Sequence, residues 1–150
     1  MNTETLRSGF VSVIGAPNVG KSTLINYLVG TKVSIVSPKV QTTRTQILGI
    51  CIADNSQIVF IDTPGIFEPK RRLDRAMVAA AWNGTKDADL VLLLIDAKRG
   101  IDRNTRQIIN QSTKNSERVI LAFNKIDLIN KGDLLAMISK VQNLNAFEHI

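Results

Sequence analysis

Residues 15–22, Gly15-Ala16-Pro17-Asn18-Val19-Gly20-Lys21-Ser22, follow the apolar run Phe10 to Ile14 and lead into a helically spaced segment, Lys21 to Val29, closed by Gly30. The pattern is G-x-x-x-x-G-K-[ST], and it works only when a strand delivers the loop and a helix carries the chain away. That requirement commits the chain to alternating strands and helices before any other residue is considered. Its glycines let backbone N–H groups close around phosphate oxygens, and the amino terminus of the following helix adds a favourable dipole. Lys21 is expected to neutralise the β and γ phosphates and Ser22 to offer its hydroxyl to Mg²⁺. The expected phosphate-binding set is therefore Gly15, Ala16, Pro17, Asn18, Val19, Gly20, Lys21, Ser22 and Thr23.

Further apolar runs recur at Ile47 to Ala53, Ile58 to Ile61, Leu90 to Ile95 and Val119 to Phe123. Helical spacing separates most of them, at Asp74 to Asn83 with Leu73, Met77 and Ala81 on one face, at Asp102 to Lys114, and at Lys131 to Leu144 with Leu134, Ile138 and Val141 stacked. Runs apolar on both faces read as a mainly parallel sheet wrapped by helices. Only "DNSQ" separates the second and third runs, too short for a parallel crossover, so the second must be antiparallel and at an edge. The expected fold class is α/β, a P-loop NTPase three-layer sandwich with a mostly parallel sheet and one antiparallel edge strand. Two irregular stretches, Thr31 to Gln46 and Thr63 to Arg72, should emerge at the carboxyl edge of the sheet, where ligands of such folds bind.

At 150 residues, 44% hydrophobic and 21% charged, the chain is sized for one globular domain. Its longest apolar run is strand-sized, and the amino terminus lacks the apolar core of a signal peptide, so a cytoplasmic location is expected. Cys51, the only cysteine, is expected to be a buried, inert thiol. A net charge of +6 favours polyanionic partners in general, although only Lys70-Arg71-Arg72 is clustered.

A magnesium-bound triphosphate also needs a carboxylate at the end of a neighbouring strand. Asp62 closes "IVFIDTPG", followed by Thr63, Pro64 and Gly65, and Gly65 can bring its N–H against a γ-phosphate because no Cβ intervenes. "NKID", residues 124–127, follows another core run and selects the base. The Asp127 carboxylate can accept from both guanine N1–H and the 2-amino group, which adenine cannot supply, and buried polar groups left unpaired reject the wrong ligand. Asn124 would brace this loop and the Lys125 stem would cover one face of the base.

In this order the three elements resemble the signature of the TRAFAC-class GTPases over essentially the whole chain. "KVSIVSPKVQTTRTQILGI" and "DTPGIFEPKRRLDRAM" are similar to the bacterial Era family within that class. The resemblance implies a GTP/GDP switch with Mg²⁺ held by Ser22, Asp62 and Thr43, with Thr42 as the alternative to Thr43. It implies a catalytic set of Lys21, Thr43, Gly65 and Asn18, the last resembling the residue that ligates K⁺ in potassium-dependent members, against a simple loop-stabilising amide. Where Ras has a water-orienting glutamine, this chain has Ile66, which cannot hold a water by hydrogen bond, so slow intrinsic hydrolysis is expected.

The same resemblance implies the small ribosomal subunit and 16S rRNA as partners, reached mainly through a KH domain expected beyond residue 150. Residues 1–150 would then be a GTP-binding domain incomplete at its carboxyl end, with a sheet edge exposed. Peripheral association with the inner face of the cell membrane, a monomeric state and no DNA binding complete the expectations. A P-loop ATPase or kinase, and a non-catalytic nucleotide-dependent scaffold, are the competing readings. Phe147 and His149 are given no role.

Overall fold

The computed structural model describes residues 5–30, 46–63, 65–116, 118–144 and 147–150, with the side chains of residues 46–48 and 62 outside the description. The elements run β1 (Arg7–Gly15), α1 (Lys21–Val29), β2 (Gln46–Ala53), β3 (Ser56–Asp62), α2 (Arg72–Asn83), β4 (Leu90–Asp96), α3 (Arg103–Asn115), β5 (Val119–Asn124) and α4 (Lys131–Gln142), with a 3-10 turn at Ile126–Leu128. The sheet order is β2-β3-β1-β4-β5. The β1–β3, β1–β4 and β4–β5 pairs are parallel, and β2 lies antiparallel to β3 at the edge. The fold is the α/β P-loop architecture that the run pattern implied. The hairpin turn is tighter than "DNSQ": only Asp54 and Asn55 intervene, with Asp54 at φ 50.

Strand alternation splits the core in two. Val13 and Phe60 face α1, whose Ile25 is buried among them, with Val11, Val29, Cys51, Ile58 and Leu92 completing that layer. Ile14, Val91, Leu93, Ile95, Val119 and Leu121 belong to the larger cluster with Ala81 of α2 and Ile108 and Ile109 of α3. Gly49 of β2 lets α1 approach, since a Cβ there would meet the Val29 side chain at 2.7 Å. Cys51 is half-buried rather than buried.

Three further expectations are corrected. The inward face of α2 is Val78, Ala81 and Trp82, whereas Leu73 and Met77 are 71% and 42% exposed. The helix starts at Arg72, not Asp74, and Asp74 accepts from the Arg71 N–H at 2.9 Å. At the other end, residues 147–150 lie along β5: Glu148 N–H donates to Val119 O and Leu121 N–H to His149 O, while Phe147 packs on the larger cluster. The β5 edge is therefore partly covered where an exposed edge was expected.

Candidate nucleotide site

Because β1, β3, β4 and β5 are parallel, their carboxyl ends lie on one edge of the sheet. Val13 pairs with Asp62, Gly15 with Leu94, and Asp96 with Asn124. That register brings the loop after Gly15, the loop after Asp62, the turn after Asp96 and the loop after Asn124 to a common rim.

The first loop is anchored from below and shaped by backbone geometry. Ala16 and Val19 are buried in the larger cluster. Asn18 and Gly20 both take positive φ, 62 and 97, and α1 starts directly after Gly20. A Cβ on Gly15 would lie 2.6 Å from the Leu94 carbonyl oxygen, so only glycine fits beside β4. Lys21 Nζ donates to Ala16 O at 3.0 Å and lies 3.4 Å from Gly15 O, which sets the ammonium against the loop it follows. Ser22 and Thr23 are exposed in the first turn of α1.

The loop after β3 folds onto this one. Thr63 is buried and its hydroxyl donates to Val13 O at 2.7 Å. Ile66 N–H donates to Gly15 O at 2.8 Å, and the Ile66 carbonyl accepts from Asn104 Nδ2 of α3 at 3.2 Å. A Cβ on Gly65 would meet Pro17 at 2.9 Å, so the two backbones touch. The Ile66 side chain is 3% exposed and packs in the larger cluster, away from solvent. Pro64, Thr42, Thr43 and the Asp62 side chain lie outside the described residues.

The loop after β5 is tied to the first loop by two hydrogen bonds. Asn124 Nδ2 donates to Val19 O at 2.8 Å, and Lys125 Nζ donates to Asn18 O at 2.9 Å. Lys125 itself takes φ 60 and turns the chain into the 3-10 turn that presents Asp127, exposed at the rim. Among the described residues Asp127 carries no hydrogen bond or ion pair, which leaves its two oxygens available to a ligand.

Sequence reasoning passed over Asp96. It ends β4 at the same rim, and its Oδ2 accepts from Lys125 Nζ at 2.7 Å with the carboxylate side chain 14% exposed. Oδ1 accepts from the backbone N–H of Lys98 and Arg99 at 3.0 and 3.2 Å. Burial on its own would raise the Asp96 pKa, but the Lys125 ammonium and these two N–H groups outweigh it and hold the carboxyl below its usual value. The available signal was positional: an aspartate closing a core strand at the same edge as Asp62.

A family model described as 50S ribosome-binding GTPase matches residues 10–125. The chain belongs to that family. Two curated relatives, each named GTPase Era, come from Bradyrhizobium sp. (strain ORS 278) and Sinorhizobium medicae (strain WSM419). Both are 57% identical to it, over 94% and 95% of the chain and 46% of their own length. The chain thus spans about half the length of the curated relatives it matches. A crystal structure of Era with MgGDPNP and a piece of 16S ribosomal RNA superposes with TM-score 0.76 at 42% identity, covering 93% of this chain and 48% of that one. An Aquifex aeolicus Era variant bound to GDP and AlF4⁻ gives TM-score 0.75 at 40% identity, covering 96% and 51%.

The residues present suit a magnesium nucleotide. Mg²⁺ is ordinarily held by one or two protein oxygens together with phosphates and waters rather than by a protein cage. The Ser22 hydroxyl, exposed in the first turn of α1 beside the loop after β1, offers one such protein oxygen.

Proposed function

We propose that this chain binds GTP and GDP with Mg²⁺ at the rim and hydrolyses GTP as a molecular switch. The observation that carries the reading is the pair of side-chain bonds from Asn124 and Lys125 to Val19 O and Asn18 O. They tie the turn that carries Asp127 to the loop after β1, which supports reading Asp127 as a guanine-selecting carboxylate beside a phosphate loop.

In this reading, Gly15, Ala16, Pro17, Asn18, Val19, Gly20 and Thr23 supply the backbone cradle and Lys21 counters the phosphate charge. Ser22, Thr43 and Asp62 hold the metal, which when bound screens the charge shared by the β and γ phosphates. Thr63, Pro64 and Gly65 carry the loop that meets the γ-phosphate, with the Gly65 N–H as donor. Ile66 contributes no acceptor to the attacking water, since its side chain is committed to the core. On this reading intrinsic hydrolysis is slow, and Asn18 would hold a K⁺ ion that would supply the positive charge an arginine finger supplies elsewhere.

The described ends of the two switch stretches sit on different supports. Thr63 to Arg72 is pinned through Ile66 to Gly15 and Asn104, while Thr31 to Gln46 joins α1 to the edge strand β2. Nucleotide state alters these stretches and a partner reads the difference. The partner is small-subunit ribosomal RNA, as in the Era complex, with the small ribosomal subunit in assembly as its setting. A location in the cytoplasm with peripheral membrane association, and a monomeric state, belong to the same reading. RNA binding by this chain alone is weak, because its basic residues are not interleaved with base-stacking aromatics.

Titration with GDP against ADP, followed by phosphate release from GTP in potassium and in sodium buffer, tests the proposal. Preference for ADP would remove it. Equal turnover in the two salts would remove the role of Asn18 alone.

A further inference from the structure

We propose that Asp96 is a positioning residue for nucleotide binding: through Lys125 it sets the base-selecting loop against the phosphate loop. The inference rests on the nucleotide-binding reading above.

Three features fit together. First, the Asp96 carboxylate is fixed before it meets Lys125. The Lys98 and Arg99 N–H groups hold Oδ1, and the backbone returns tightly, with Gly100 N–H donating to Asp96 O at 3.0 Å and Gly100 at φ 75. Oδ2 is thereby aimed across the strand register at β5, where Ala97 N–H also donates to Asn124 O at 2.9 Å.

Second, Lys125 is a branch point. Its Nζ donates at once to Asp96 Oδ2 and to Asn18 O, so one ammonium joins the end of β4, the end of β5 and the phosphate loop. An ammonium has three donors and no geometric preference of its own. A fixed, largely buried carboxylate supplies the preference, because a charge-assisted bond is short and directional where water is partly excluded. The Lys125 stem is then held extended over the ground between the two loops.

Third, no other described ion pair engages Lys125 or joins two of the loops at this rim. Arg99–Asp102 lies within the turn preceding α3, and Arg118–Glu148 lies beyond the opposite, amino-terminal end of β5. Among the described residues, Asp96 is the carboxylate that compensates the lysine.

Losing the carboxylate frees Lys125 to swing, and the nucleotide must then order that side chain on binding. The loss appears as faster release of bound nucleotide. Asp96→Asn is suited to the test, because the amide oxygen still serves the Lys98 and Arg99 N–H groups while the NH₂ group cannot accept from Lys125.

The experiment measures dissociation of a fluorescent GDP analogue from the wild-type protein, Asp96→Asn, Lys125→Met and the double variant. Thermal unfolding of each without nucleotide, and KM and kcat for GTP, are measured in parallel. Asp96→Asn should release GDP about tenfold faster, the scale of one charge-assisted bond, and should raise KM more than it lowers kcat. In the Lys125→Met background it should add less than twofold. A wild-type release rate in Asp96→Asn, or the same fold increase in both backgrounds, overturns the inference. Should Asp96→Asn not fold, Asp96→Ser takes its place with the same expected and overturning results. A wild-type protein that binds no GDP at all overturns the nucleotide reading itself, and with it this inference.

Discussion

Asn124 Nδ2 donates to the Val19 carbonyl across 105 residues of chain, and Gly20, the next residue, leaves the room that this bond requires. A Cβ on Gly20 would collide with Asn124 Nδ2, and Gly20 takes φ 97, where an L side chain is strained. The loop after β1 and the loop after β5 are thus built as one unit rather than as two independent motifs.

Gly20→Ala should therefore damage both halves. Left-handed strain contributes about 1–2 kcal/mol, and displacing Asn124 leaves a buried carbonyl unpaired at about 1–3 kcal/mol more. Thermal unfolding should fall by roughly 5 °C or more at this chain length, with GDP binding lost. Asn124→Ala should reproduce the second part alone, with a smaller fall in Tm. Equal Tm values for Gly20→Ala and the wild-type protein would contradict the single-unit geometry.

The lone tryptophan reports on the core. Trp82 is the only tryptophan in the chain and packs against the larger cluster from α2, with its indole nitrogen buried and without a hydrogen-bond partner among the described residues. Native emission should be blue-shifted and should move to the red in a single step on urea unfolding. Trp82→Phe keeps a six-membered aromatic ring but deletes the fused five-membered ring that carries the unpaired N–H, so the lost packing should cost about 1–2 kcal/mol with no hydrogen-bond loss added. A loss on the scale of a deleted aromatic, about 3 kcal/mol or more, would show that the N–H is partnered in solution.

How far the sequence reaches is clear from where it failed. The loop after β1, the edge hairpin and the succession of strands and helices in a mainly parallel sheet were legible, because each is set by local pattern: a glycine-lysine motif, a turn too short to cross over, runs apolar on both faces. The face of α2 was not. Leu73, Met77 and Ala81 form one apolar stripe and Val78, Ala81 and Trp82 another, and only packing on the larger cluster selects the second. Asp96 was missed because a single aspartate at a strand end looks like any turn residue until Lys125 is seen 2.7 Å away, 29 positions along the chain. Pairing of residues 147–150 with β5 depends on tertiary register, which no local pattern encodes.

Acid sensitivity should be concentrated at three carboxylates, Asp96, Asp102 and Glu148, the last held below its usual pKa by the Arg118 guanidinium. Asp102 caps α3 by accepting from Thr105 N–H at 2.7 Å and also meets Arg99 Nε at 2.9 Å. Burial alone would raise its pKa, but the Thr105 and Arg99 donors outweigh burial and lower it, as Lys125 and the backbone N–H groups of Lys98 and Arg99 do for Asp96. A carboxyl whose folded pKa is depressed stabilises the protein fully above its unfolded value, near 3.8 for the two aspartates, and loses that contribution as pH falls through the lower folded value. Stability should be flat with respect to the two aspartates from pH 7 to about 5 and decline below about 4. Asp102→Asn retains a capping oxygen but loses the charge that Thr105 N–H and Arg99 favour, so its Tm should fall at pH 7 by about what the wild-type protein loses at this group on acidification, and its decline below pH 4 becomes shallower. An unchanged acid limb in that variant would place the titrating groups elsewhere.

Ile66 stands in the position where a water-orienting glutamine would be expected, yet its side chain is part of the core. Replacing it with glutamine therefore does not restore a catalytic amide. The longer polar side chain either buries an unpaired amide, at about 2–3 kcal/mol, or leaves the core and opens a cavity at about 2–5 kcal/mol. In both cases the bonds from Ile66 N–H to Gly15 O and from Asn104 to Ile66 O are strained or lost. Ile66→Gln should lower Tm by roughly 5–10 °C and leave GTP turnover unchanged or reduced, whereas Ile66→Val should lose less than about 1.5 kcal/mol and keep wild-type turnover. A glutamine variant with wild-type stability and faster hydrolysis would show that residue 66 reaches the attacking water after all, and that the buried position is not the one from which hydrolysis proceeds.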